Sequence, residues 1–93
     1  VNFTTNVYMI GANGSAGIFP NPSSGNFTLA IKVPSSTDVK VEIVNALGQI
    51  VYHEMRAGFA GGQIPLSVNA PGIYTVKIST ADGMTTIPVM VRN

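Results

Sequence analysis

Few side chains in this chain could carry acid–base or nucleophilic chemistry. His53 is the single histidine, and it stands between Tyr52 and Glu54 in a run of strand-forming residues. An imidazole can act as a general base, but it needs a positioned nucleophile, and no residue spacing here supplies one. We therefore interpret His53 as a solvated strand residue and expect that this domain is not an enzyme.

The acidic residues are too dispersed to form a metal site or a catalytic carboxylate pair. Asp38, Glu42, Glu54 and Asp82 each stand alone in their part of the sequence. A glycosidase pair and a calcium loop both need carboxylates that act together. The chain has no cysteine, which excludes disulfides, thiolate metal sites and thiol nucleophiles but leaves the redox compartment open. We expect neither a metal nor a cofactor.

Composition and charge argue against two further classes of function. Charged residues make up 10% of the 93 residues, and the formal net charge is +1. The five basic residues are scattered, so we expect no binding of nucleic acid. No apolar run approaches the ~20 residues of a membrane-spanning helix. The length predicts a single domain.

These side chains must be positioned by strands, because apolar and polar residues alternate with a period of two. Phe27, Leu29, Ile31 and Val33 fall on one face of a predicted strand. Strands with one solvent-exposed face predict an all-β fold, an antiparallel immunoglobulin-like β-sandwich of about seven strands. The other predicted strands cover residues 3–10, 39–43, 50–54, 63–68, 74–78 and 84–92.

The first part of the chain has a different character. Residues 3–10 can form one strand, whereas Gly11 to Gly17 have the small and polar composition of a linker. We therefore predict a lead-in strand and flexible linker over residues 1–17, followed by the β-sandwich over residues 18–93. Such a linker is a candidate site for proteolysis, and cleavage before residue 1 is an equal alternative.

Turn residues and prolines add three local expectations. Asp82-Gly83 predicts a type I′ hairpin between the last two strands, because both residues tolerate positive φ. Pro65 and Pro88 lack an N–H group and therefore predict edge strands or bulges. Tyr74 opens a strand after a Pro-Gly turn, where its hydroxyl can bond upstream backbone as a tyrosine corner does.

Several segments have an architectural explanation when each is taken singly, but in order and spacing they resemble a known family. That family is the type A C-terminal sorting domain of proteins exported by the type IX secretion system of Bacteroidetes-type bacteria. The resemblance covers about Ile18 to Asn93. It assigns Pro20, Asn21, Pro22, Gly25 and Gly48 to a structural motif. The matching segments are residues 19–22 with Gly25 and Phe27, 39–51, 70–78 and 82–83.

The resemblance implies a sorting signal without catalytic activity. A passenger protein upstream of Val1 would pass through the periplasm. The outer-membrane translocon and its shuttle proteins would recognise the domain. A cysteine-peptidase sortase would remove it while the passenger is released or attached to the cell surface. The expected location is therefore secreted or cell-surface.

In the resembling family the recognised part lies near the C-terminus, so we expect the recognition residues there. Pro88 also predicts an edge position for the last strand, and an edge can accept a partner by strand addition. The predicted recognition residues are Gly72, Tyr74, Met84, Ile87, Val89, Met90, Val91 and Arg92. For Ile87, Val89 and Val91, simple core burial is the competing interpretation.

A binding module of a secreted protein is the alternative hypothesis. An immunoglobulin-like or fibronectin-like domain can hold a glycan or a protein, and Tyr8, Tyr52 and Phe59 could stack on a sugar. Saturable glycan binding by the isolated domain would favour this alternative.

Overall fold

The chain folds into two antiparallel four-stranded sheets. The computed structural model describes residues 8–11, 14–19 and 23–92. The first sheet has the strand order β1-β2-β3-β6, and the second has the order β5-β4-β7-β8. The all-β sandwich prediction is confirmed. The strands are β1 Tyr8–Ile10, β2 Gly14–Phe19, β3 Asn26–Lys32, β4 Thr37–Val44, β5 Ile50–Phe59, β6 Gly62–Ser67, β7 Gly72–Thr80 and β8 Gly83–Val91.

The strand order is that of an immunoglobulin domain with an added first strand. Strands β2-β3-β6 correspond to A-B-E of one immunoglobulin sheet, and β5-β4-β7-β8 correspond to C′-C-F-G of the other. Two sheets of this kind bury the inward face of each strand between them, so alternation along the sequence becomes alternation between core and surface.

The core consists almost entirely of residues that the alternation places inward. Val39, Val41 and Ile43 of β4 have no exposed area. Burying a side chain of this size contributes about 1.5–3 kcal/mol relative to leaving it exposed. The remaining core residues are Ile10, Ala16, Ile18, Phe27, Leu29, Ile31, Ile64, Leu66, Tyr74, Val76, Ile78, Ile87, Val89 and Val91.

Residues Gly14 to Gly17 begin strand β2, where the sequence predicted a flexible linker. In β2, Ala16 lies opposite Ile31 of β3, and both Ala16 and Ile18 are buried in the core. The small residues here allow close backbone approach, since a Cβ on Gly14 would lie 2.8 Å from the carbonyl oxygen of Ile10. The small side chains in this segment therefore reflect close packing against neighbouring strands. A division of the chain near residue 17 stays a prediction.

The last two strands are joined by a hairpin, as predicted, but the turn is of another type. The connection between β7 and β8 is Ala81-Asp82, and Thr80 lies opposite Gly83. None of the described residues other than glycine has positive φ, whereas a type I′ turn needs positive φ at both central positions. The Thr80 hydroxyl instead accepts a hydrogen bond of 3.2 Å from the Asp82 N–H.

Both prolines that were predicted to occupy sheet edges do so. Strands β1 and β6 are the edges of the first sheet, and β5 and β8 are the edges of the second. Pro65 lies in β6 and Pro88 in β8. At these positions the missing N–H removes no hydrogen bond from the interior of a sheet.

Candidate functional site

The residues that could have carried catalysis lie apart on the surface. His53 is exposed on β5 and pairs across the strands with Glu42 of β4. Glu42 lies 3.8 Å from the ammonium group of Lys40. Within the described residues no group of three or more His, Asp or Glu side chains could hold a metal ion.

A short polar chain runs along the edge strand β5. The Tyr52 hydroxyl donates to one carboxylate oxygen of Glu54, and the Arg56 Nε donates to the other at 2.5 Å. The Tyr52 hydrogen bond lowers the pKa of Glu54; partial desolvation opposes this effect, and Arg56 adds to it. The same hydrogen bond is the main cause that raises the pKa of Tyr52. These side chains point the same way as the core residues of β4 opposite them.

The predicted recognition residues of the last strand divide between two faces. Ile87, Val89 and Val91 are buried, with at most 3% of their surface exposed. Met84 and Met90 are about half exposed on the opposite face. Only the outward residues of β8 can contact a partner while the domain is folded, because the inward ones fill the core.

Part of the outer edge of β8 is already paired. The Ser23 N–H donates to the carbonyl of Met90 at 2.8 Å, and the Arg92 N–H donates to the carbonyl of Ser23 at 2.9 Å. The Ser23 hydroxyl accepts from the Gly25 N–H and donates to the carbonyl of Asn26, both at 3.0 Å. The edge position of β8 is confirmed, but strand addition at its C-terminal end would have to displace Ser23.

Tyr74 and Gly72 lie at the start of β7. The Tyr74 hydroxyl donates to the carbonyl of Ala70 at 2.6 Å, four residues upstream, which confirms the predicted tyrosine corner. Tyr74 is buried, whereas Gly72 is exposed and lies opposite Val91. A recognition role for either residue stays a prediction.

The motif residues that the structure describes form turns. Gly48 has φ +85° in the β4–β5 turn, where the Asn45 side-chain oxygen accepts from the N–H groups of Leu47 and Gln49. Gly25 has φ +124°, and its carbonyl accepts from the Val68 N–H at 2.9 Å. Pro20, Asn21 and Pro22 lie outside the described residues.

The aromatic residues considered for glycan stacking do not form one platform. Tyr8 lies on β1, which packs beside β8, whereas Tyr52 and Phe59 lie on β5 at the far edge of the second sheet. Tyr52 and Phe59 are seven positions apart along β5, which is a separation of roughly 23 Å. A shallow cleft over β3 and β6 has no titratable side chain. Its lining residues are Asn26, Phe27, Thr28, Pro65, Leu66 and Ser67.

Fold and surface together define the class of protein. It is a small immunoglobulin-like β-sandwich of two antiparallel four-stranded sheets. Over residues 17–92 the chain matches the family described as the secretion system C-terminal sorting domain. The chain therefore belongs to the type IX secretion C-terminal sorting domains, and the resemblance seen in the sequence is confirmed.

Family membership gives the coarse function. It indicates a C-terminal sorting signal of type IX secretion, in a family that is generally non-catalytic. It also implies involvement with the type IX machinery and a protein that is secreted or exported to the surface.

No curated protein matches the chain. The described residues include no helix long and apolar enough to cross a membrane.

Sequence reasoning missed two features of this site. Ser23 was not singled out, because its pairing with Met90 joins residues far apart in the chain. Ile73 is exposed next to the buried Tyr74, and it lies opposite Met90 on the outer side of the second sheet. The alternation that placed Tyr74 inward could have shown that Ile73 faces outward.

Proposed function

We propose that this domain directs an upstream passenger protein from the periplasm across the outer membrane, and that the translocon and its shuttle proteins bind the outward side of the β7–β8 hairpin. The observation that carries the proposal is the division of β8 into a buried and an exposed face. Met84, Met90 and Arg92 are accessible while Ile87 and Val89 hold the fold. The export machinery can then bind the exposed side chains of the folded domain without unfolding it.

We further propose that a cysteine-peptidase sortase removes the domain by cutting before strand β1. A protease binds its substrate in an extended and accessible form, which favours exposed backbone. Every residue of Gly14–Phe19 is paired in the first sheet, Gly14 to Ala16 with β1 and Ser15 to Phe19 with β3. Cutting there would require the sheet to open, so the pairing supports a site on the passenger side of Tyr8. The passenger would then be released or attached to the surface.

A fusion experiment tests the sorting function. Residues 1–93 are placed behind a periplasm-exported fluorescent protein in a bacterium with a type IX system, beside a fusion without them and a host lacking the translocon. We expect fluorescence outside the cell only when both the domain and the translocon are present. Intact fusion that stays folded in the periplasm of the competent host would contradict the proposal.

The same strain tests removal of the domain. In a host with an inactive sortase, we expect the exported fusion to keep the additional 9.7 kDa of this chain. In the competent host, mass spectrometry of the released passenger identifies the cut. A cut within Gly14–Phe19 would contradict a site before β1.

A further inference from the structure

The outer face of the second sheet carries a group of apolar side chains that are exposed or, at Val44, partly exposed. Ile73 lies directly opposite Met90, and the next row of the sheet runs from Ile50 through Val44 and Thr75 to Pro88. Ile73 and Ile50 are each 56% exposed, and Met90 is 46% exposed. We call Ile73, Met90, Pro88, Val44 and Ile50 the outer patch. Apolar groups gathered in this way on a small domain mark a site of interaction.

The described sheet edges are poorly suited to binding by strand addition. On the first sheet, β1 has three residues and β6 contains Pro65. On the second sheet, β8 pairs with Ser23 near its end. Strand β5 has irregular register at both ends, and Glu54 and Arg56 lie on its inward side. Prolines, bulges and inward charges all discourage edge pairing. A partner is therefore more easily held by a sheet face.

Two cationic side chains border the outer patch. Lys77 lies in the row beside Thr75, opposite Glu42 of β4, and Arg92 follows Val91 at the end of β8. The side-chain ion pairs among the described residues are Lys40–Glu42 and Arg56–Glu54. Lys77 and Arg92 thus form no ion pair with another described residue. An apolar centre with cations at its rim is complementary to an apolar protein surface that carries carboxylates.

We propose that the outer patch is the surface through which the export machinery binds this domain, and that its partner is an apolar protein surface with carboxylates facing Lys77 and Arg92. This inference rests on the proposed function and specifies the contact. It adds Ile73, Val44 and Ile50, which lie outside the last strand. It also separates binding from folding, since none of the outer-patch residues belongs to the buried core cluster.

Matched substitutions in the fluorescent fusion test the proposal. Ile73→Asp places a charge in the outer patch, and its control is Met9→Asp, because Met9 is 57% exposed on the first sheet. The double change Lys77→Gln with Arg92→Gln removes the rim cations, and its control is Lys32→Gln at the exposed end of β3. Urea unfolding of each purified chain verifies that the fold is retained.

We expect Ile73→Asp to lower export about tenfold, the effect that one lost hot-spot contact has on an equilibrium. The double Gln variant should lower export about threefold to tenfold. The Met9 and Lys32 controls should be exported like the wild type. If Ile73→Asp folds and is exported normally while the wild type is exported, the outer patch is not the binding surface, although the sorting function stands. If the wild type itself is retained, the sorting function fails.

Two further measurements test the nature of the partner. If light scattering shows that the purified chain is a dimer that Ile73→Asp converts to monomers, the patch binds a second copy, and the proposal is overturned. If Lys77→Gln with Arg92→Gln leaves export unchanged while Ile73→Asp abolishes it, the partner needs no carboxylates, and that part of the proposal is wrong.

Discussion

The N–H group of Ser23 donates a hydrogen bond of 2.8 Å to the carbonyl oxygen of Met90. This bond, with its companion from the Arg92 N–H to the Ser23 carbonyl, pairs a residue from the start of the sandwich with the end of the last strand in a parallel bridge. The bridge closes part of an edge that would otherwise accept another chain. Ser23 is the only polar residue among the described residues that is buried.

Replacing Ser23 by proline should loosen the end of β8. Proline has no N–H to donate to Met90, so the tether to the last strand weakens. We expect the Arg92 amide to exchange with deuterium about tenfold faster, which corresponds to the loss of about 1.4 kcal/mol. The control Ser23→Ala keeps both backbone hydrogen bonds and loses only the side-chain contacts to Gly25 and Asn26. Equal Arg92 exchange in the two variants would show that the Ser23 N–H does not hold the strand.

Gly11 should tolerate a side chain less well than Gly48. Both have positive φ, at +63° and +85°. A Cβ on Gly11 would lie 2.5 Å from the carbonyl oxygen of Asp82, whereas a Cβ on Gly48 would meet nothing within 4 Å. We expect Gly48→Ala to cost about 1 kcal/mol of unfolding free energy through φ alone. Gly11→Ala should cost about 1–3 kcal/mol more, because β1 must move away from the β7–β8 turn.

Urea unfolding of the two alanine variants gives this difference directly. Equal losses of unfolding free energy would mean that the contact between Gly11 and Asp82 contributes nothing beyond the backbone conformation.

Substitutions on the two faces of β8 should separate stability from surface function. Ile87 is 1% exposed and Met84 is 55% exposed. Ile87→Ala should lower the free energy of unfolding by about 2–5 kcal/mol, because it leaves a cavity in the core. Met84→Ala should change it by less than about 0.5 kcal/mol, as surface substitutions usually do. Chemical unfolding measures both values, and similar losses at both positions would refute the assignment of the two faces.

Acid should weaken the domain in part through Glu54. The folded state holds the pKa of Glu54 below its usual range, mainly through the Tyr52 hydroxyl. A depressed carboxyl pKa contributes stability that is present above the unfolded value of about 4.3 and is lost as the pH falls through the folded value. The contribution is small because the pair lies at the surface. Glu54→Gln should therefore flatten the decline of the urea midpoint as the pH falls below about 4.3.

Tyr52→Phe supplies an independent test of the cause. NMR titration of the Glu54 side chain should show its pKa rising toward the ordinary value when the hydroxyl is absent. An unchanged Glu54 titration in Tyr52→Phe would assign the lowered pKa to Arg56 alone.

Local sequence patterns were sufficient to predict much of the fold. Alternation identified the inward residues of β3, β4 and β7, and the Pro-Gly turn before Tyr74 predicted the tyrosine corner. The hairpin between β7 and β8 was also predicted. Its turn type was wrong, because the pair Asp82-Gly83 permits positive φ at Asp82 without requiring it. The strand Gly14–Phe19 was missed because its small residues have the composition of a linker, and only their neighbours show that they are packed.

By itself the sequence determined the two faces of the main strands, the lack of a local catalytic pattern and, through ordered motifs, the family. These properties depend on residue types and on their alternation with a period of two, which involve only residues close together in the chain. Only the tertiary structure decided that Ser23 covers the end of β8 and that Ile73, Met90 and Ile50 lie on one outer face. Those arrangements join residues far apart in the chain, because strand order and register are set by the packing of two whole sheets.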